Sequence, residues 1–327
     1  MVLRSVRAGF KAQGGFRLGI FTAEELDALH QATLEVLRNT GVAVYLAEAR
    51  ELFAAAGATI ENNLVVKLPA YMVEEAIRSA PETITLAGRT PDRDVSLGGW
   101  RVMFTPFGEG IFIVDPDTGQ LRSTRKSDLA DITRVVDYLE AIDVMEKSVG
   151  SRDKPEPVAS LHNFEAMLNN TTKPCFGGAE NGRMVEKIIK MAEVAAGGPQ
   201  FMPERCQVSF ITCPVSPLQL VEECCDIIMV AAKHGVTVNV LSMAMSGGST
   251  PINLAATLVT HNAEVLAGLT LAQLVRKGTP VIYGSSTTAL NLKTATATVG
   301  SPELAMISAA VASLARYYLL PSWVAGG

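Results

Sequence analysis

The side chains that could do chemistry are few, and their spacing narrows what that chemistry is. His162, His234 and His261 are scattered, and Cys206 and Cys213 lack the close pairing of a zinc site. Cys224 and Cys225 are adjacent on a helical stretch, where neighbours point about 100° apart. No metal site is expected. His261 and Glu264 stand three apart on one helical face, where a structural hydrogen bond is the plainer expectation and an acid–base dyad the sharper one. Cys213 and Ser285 have no identifiable base, so neither reads as a nucleophile. The run Gly247-Gly248-Ser249-Thr250-Pro251 opens a helix and could offer free N–H groups to an anion. It matches neither a P-loop nor a dinucleotide-binding glycine pattern and carries no Lys or Arg, so a tight turn is the expectation.

What remains is a set of rings and small polar groups. Phe104, Phe107, Phe112, Phe176, Phe210, Tyr283 and Trp323 fall on or beside strand-like runs. Glu109 lies in a Gly108-Glu109-Gly110 turn and Glu180 follows a strand-like run. Aromatic faces with one carboxylate suit a quaternary ammonium, because the ring quadrupole attracts a cation that has no hydrogen bond to donate. Taken singly, each ring reads better as core. As a set, Phe104, Phe107 and Tyr283 are candidates for the cation, Glu109 or Glu180 for charge balance, and Asn262 and Ser285 for hydrogen bonds. No catalytic residue is assigned.

These residues are positioned by two different kinds of pattern. In residues 1–126, Thr22 and Glu25 form a capping-box spacing ahead of Leu26, Leu29, Leu34 and Leu37, and two further short helices follow. Short strands then run through Thr83–Ala87, Arg101–Pro106 and Ile111–Val114, with a turn at Asp115–Gly119. This reads as an N-terminal α+β subdomain. From Ser127 onward strands and helices alternate, with strand-like runs at 142–149, 174–178, 207–213, 236–243, 280–285 and 320–325. Helical segments lie between them, the longest expected over 251–277. Alternation of this kind implies parallel strands joined by crossover helices. Six strands over 127–327 fit either an open sheet or a (β/α)8 barrel whose last units lie beyond Gly327. The ending favours the second, because Trp323 to Gly327 stops where a strand hands over to its loop.

Composition excludes other classes. The chain of 327 residues has a net charge of −5 and no basic stripe, which argues against nucleic acid as the main partner. Its first 21 residues have no continuous apolar core of the secretory kind. Of all the windows, 259–275 comes nearest to membrane-spanning, and His261, Asn262, Glu264 and Gln273 interrupt it. Five cysteines, an odd number lying in strand or helix patterns, read as reduced thiols in the cytoplasm.

Several runs carry a family resemblance: Leu34 to Val42, Asp115 to Thr124, Ser127-Asp128-Leu129-Ala130-Asp131, Ile142-Asp143, Asn262 to Gly268, Gly278 to Gly284, Ser301-Pro302-Glu303 and Tyr318 to Pro321. In combination they resemble the trimethylamine methyltransferase family over nearly the whole chain. The resemblance implies a TIM barrel that moves a methyl group from a methylated amine to the Co(I) of a corrinoid on a separate protein. Of the two kinds of member, the one expected is the non-pyrrolysine, quaternary-amine (glycine betaine) type. Family members continue past the final Gly-Gly, so a pyrrolysine position could lie beyond residue 327. No tightly bound cofactor, no membrane and a homo-oligomer are expected. Such a reaction needs orientation of a substrate that is already cationic more than it needs a base, which agrees with the sparse inventory. Two other readings stay open: a barrel lyase or aldolase using Glu180 as base, and an amine-binding protein without catalysis.

Overall fold

The computed structural model describes residues 19–198 and 205–326. The first eighteen residues, on which most of the reading of the N-terminus rests, lie outside them. The described residues divide into two compact units, one built on 84–198 with 205–211 and the other on 19–83 together with 212–326. This boundary differs from a cut at residue 126, and the reason is packing. The N-terminal helices α1 (Ala23–Asn39), α2 (Ala47–Ala55) and α3 (Ala70–Ser79) rest on a helix more than 170 positions later in the chain. The expected capping box opens α1, with Glu25 N–H donating to Thr22 Oγ1 at 3.2 Å and Thr22 N–H to Glu25 Oε2 at 2.8 Å.

In the 84–211 unit, α4 (Lys126–Tyr138) leads to strand β1 (Met145–Glu146), then α5 (Ala159–Asn170), β2 (Cys175–Gly178), α6 (Gly182–Ala195) and β3 (Val208–Thr212). The three strands pair in parallel, with Glu146 opposite Phe176 and Phe176 opposite Ser209. Alternation sends Phe210 to the helix side, where its ring lies 5.7 Å from Phe164 of α5. Glu146, Phe176 and Ser209 therefore share the face turned away from the helices.

The second unit continues with α7 (Glu222–His234), β4 (Val238–Ser242), α8 (Leu254–Val275), β5 (Val281–Ser285), α9 (Pro302–Tyr317) and β6 (Ser322–Val324). β4, β5 and β6 are again parallel, with Leu241 opposite Gly284 and Gly284 opposite Trp323. The expected helix from Pro251 starts three residues later, because Asn253 caps it and accepts from Ala255 N–H at 2.9 Å. Among the described residues α8 is the one helix long and apolar enough to cross a membrane, yet 72% of its apolar window is buried. It is apolar around its whole circumference because α1, α3, α7, β4 and β5 surround it. Leu266, Leu269 and Leu271 have no exposed surface, and each such side chain contributes about 1.5–3 kcal/mol.

Candidate functional site

In the 84–211 unit, residues 101–106 do not form the expected strand, and the segment continues without regular structure to residue 109. Residues 104–110 run beside β1 and are fastened to it along their length. Phe104 N–H donates to Asp143 Oδ2 at 3.0 Å, and Asp143 N–H returns a bond to Phe104 O at 2.9 Å. Thr105 Oγ1 donates to the buried Glu146 carboxylate at 2.8 Å. Further on, Glu109 and Gly110 N–H donate to the carbonyls of Lys147 and Ser148 at 3.1 and 2.7 Å. Gly108 leaves room for the carboxylate, since a Cβ there would lie 2.5 Å from Glu146 Oε1 and would have to displace it. The rings of Phe104 and Phe107 are left 60% and 76% exposed.

The two carboxylates named from sequence have local partners. Glu109, in the left-handed region at φ +68, forms an ion pair with Lys147. Glu180 accepts from Ser160 N–H at 2.8 Å and from Ser160 Oγ, so it caps the N-terminus of α5 from the neighbouring βα loop. Glu146 was not singled out by sequence. It looks like part of a buried strand, and the signal that could have found it is a carboxylate at the carboxyl end of a barrel strand.

In the second unit, Asn262 and Tyr283 meet. Tyr283 Oη donates to Asn262 Oδ1 at 2.6 Å, and Asn262 Nδ2 donates to Tyr318 Oη at 2.7 Å and Thr33 Oγ1 at 2.9 Å. Both side chains are wholly buried where β5 meets α8. Ser285, also buried, accepts from Thr287 N–H at 3.1 Å. His261 and Glu264 do not pair. His261 Nδ1 lies 3.1 Å from Thr287 Oγ1, and burial pushes the imidazole down to about 3. Glu264 accepts from Leu218 N–H at 2.9 Å and from Ser242 Oγ at 2.6 Å, and burial pushes its carboxyl up against those bonds. Burial also pushes the thiols of Cys175 and Cys206 up to about 12, which leaves them unreactive.

The opposite face of the same sheet presents Asn239, which sequence did not single out. It has no exposure, and neither its oxygen nor its nitrogen has a hydrogen-bond partner. Gly284 makes room for it, since a Cβ there would collide with Asn239 Oδ1 and stand 2.9 Å from its Cγ. Among the described residues no cluster of three or more His, Cys, Asp or Glu could hold a metal ion.

The family model described as trimethylamine methyltransferase (MTTB) matches residues 11–327. The chain belongs to the trimethylamine methyltransferase family. It is 50% identical over 327 residues to the trimethylamine methyltransferase MttB of Desulfitobacterium hafniense, covering 99% of this chain and 66% of that protein. It is 44% identical to the MttB of Methanosarcina thermophila, with 98% and 67% covered, and 32% identical to a glycine betaine methyltransferase of D. hafniense, with 95% and 65% covered. The chain thus spans about two thirds of the length of these relatives. Among solved structures it resembles the Methanosarcina barkeri monomethylamine methyltransferase at a TM-score of 0.60 and 11% identity, covering 98% of this chain and 65% of that one. The hydroxylamine complex of that protein matches equally, at 0.60 and 12%. At such identity the likeness speaks to fold alone, and the fold is α/β of the (β/α)8-barrel type, with six parallel strands among the described residues.

Proposed function

We propose that this protein takes a methyl group from a methylated amine and passes it to the cobalt of a corrinoid carried by a separate protein. The support is the family match over residues 11–327, with 50% identity to a trimethylamine methyltransferase and 32% to a glycine betaine methyltransferase. In the transfer, the carbon–nitrogen bond breaks with its electron pair going to the departing neutral amine. The acceptor's Co(I), itself a strong nucleophile, supplies the pair for the new bond. The protein's task is to hold the cation, aim one methyl and exclude water.

For the amine we assign the rings of Phe104 and Phe107, whose faces are exposed, with the Glu146 carboxylate anchoring the segment that carries them. Glu109 serves to hold that segment to Lys147. Asn262 and Tyr283 serve to join β5 to its helix layer, because their polar atoms are satisfied there, while Ser285 accepts a local bond from Thr287 N–H at the end of β5. The lyase reading loses ground on one observation, that Glu180 caps a helix. The acidic composition and free thiols support a cytoplasmic site of action.

The test mixes the purified full-length protein with a Co(I) corrinoid protein and either trimethylamine, glycine betaine, carnitine or proline betaine. Loss of the Co(I) absorption with appearance of the methylated form is expected for at least one amine. No change with any of them removes the assignment.

A further inference from the structure

Beyond residue 110 the chain forms a two-stranded hairpin, Phe112–Val114 with Leu121–Ser123, whose outward face is apolar except for Ser123. Phe112 and Val114 alternate onto one side, where Leu121 stands directly opposite Val114 and the small Ser123 opposite Phe112. Phe112, Val114 and Leu121 are 53%, 60% and 67% exposed, and Ile111 beside them is 50% exposed. A water-facing hairpin ordinarily places polar residues on such a face.

The hairpin is rigidly built. Its turn closes with Gly119 N–H on Asp115 O at 2.8 Å. Arg122 bridges Asp115 at 2.8 Å and Asp128 at 2.7 Å, tying the hairpin to the first turn of α4. Both of its feet stand just past the carboxyl end of β1: Gly110 pairs with Val149 and donates to Ser148 O, while Thr124 Oγ1 donates to Gly150 O at 2.7 Å. That end of the strands is where barrel enzymes do their chemistry. The hairpin is also continuous in sequence with the 104–110 segment that carries Phe104 and Phe107.

We infer that this hairpin face is the docking surface for the protein that carries the methyl acceptor, an inference that rests on the methyl-transfer reading above. The acceptor is bound to another macromolecule and must come within bonding distance of the amine, so its carrier has to seat beside the amine-holding segment. Size points the same way. Ile111, Phe112, Val114 and Leu121 together present on the order of 400 Å² of largely apolar surface. That suits a transient partner, which buries under about 1,200 Å² in total, and falls short of the roughly 2,000 Å² or more of a permanent homodimer. A carrier that must leave after each turnover needs the smaller contact.

The test uses full-length protein and the variant Phe112→Asp/Leu121→Asp, with corrinoid-protein concentration varied at saturating amine. These exposed positions lie outside the amine-holding set, so the melting temperature and the amine affinity by calorimetry are expected to stay at wild-type values. The KM for the corrinoid protein is expected to rise about tenfold or more. An unchanged KM with wild-type turnover intact overturns the docking assignment and leaves the methyl-transfer reading standing. A change of oligomeric state in sedimentation, with KM unchanged, assigns the face to a second copy and overturns it as well. Absence of methyl transfer by the wild type overturns both together.

Discussion

Tyr283 Oη donates a 2.6 Å hydrogen bond to Asn262 Oδ1 where neither side chain touches solvent. The bond ties β5 to the middle of α8, and Asn262 extends it to Thr33 on α1 and to Tyr318 just past α9. One amide thus joins a strand to the helical elements packed around it, using both of its functional groups.

Tyr283→Phe removes the donor and strands a buried carbonyl oxygen. Chemical denaturation is expected to show a loss of about 1–3 kcal/mol. If the ring is structural, calorimetry on the folded variant will give an unchanged amine affinity. A large loss of affinity with unchanged stability would return Tyr283 to the substrate.

Phe104→Ala and Phe107→Ala should behave in the opposite way. Both rings are largely exposed, so stability should move by no more than about 0.5 kcal/mol. Loss of a cation–π contact worth about 0.5–2 kcal/mol predicts a rise of roughly 2- to 30-fold in KM for the amine. Steady-state kinetics at fixed corrinoid protein measures it, and equal KM values in both variants would remove the rings from the site.

His261 makes stability depend on pH. Burial holds the folded imidazole down at about 3, whereas in the unfolded chain it titrates near about 6.5. The unfolded state therefore binds the extra proton below that pH. The contribution of His261 is complete above about 6.5 and is lost as pH falls toward 3. Between pH 7 and pH 5 it is expected to account for about 2 kcal/mol of the fall in unfolding free energy. His261→Gln should flatten that fall in urea titrations, while His30, also pushed down by burial, acts in both proteins alike.

Asn239 is buried with neither amide atom bonded to a protein group, and a buried amide without a partner costs about 1–3 kcal/mol. Asn239→Leu, close in volume, is expected to raise the melting temperature, by an amount reflecting about 1–3 kcal/mol of relieved desolvation. A lower melting temperature would mean that the amide is satisfied in solution. Gly284→Ala should be destabilising by about 1–3 kcal/mol, because the added methyl meets the Asn239 amide.

Much of the architecture could be read from local pattern. The capping box of Thr22 and Glu25, the alternation that yields β1 to β6 and the helices between them all depend on neighbours a few positions apart. The family was legible in the same way, from short runs of residues spread along the chain. Segment 101–106 was misread as a strand because Val102, Phe104 and Thr105 are residues that strands favour. Its shape is set by hydrogen bonds to residues some forty positions later.

The sequence by itself determined the βα order, the family and the scarcity of reactive groups, because these follow from residue type and short-range periodicity. Only the tertiary structure decided which side of a strand each residue faces and what each polar group touches. It sent Tyr283 to α8 and Asn239 to the opposite side, engaged Glu180 as a helix cap, and brought Glu146 to the loop of Phe104 and Phe107. Those outcomes depend on partners tens to hundreds of residues away, and a buried polar group takes whichever partner the packed chain brings within about 3 Å.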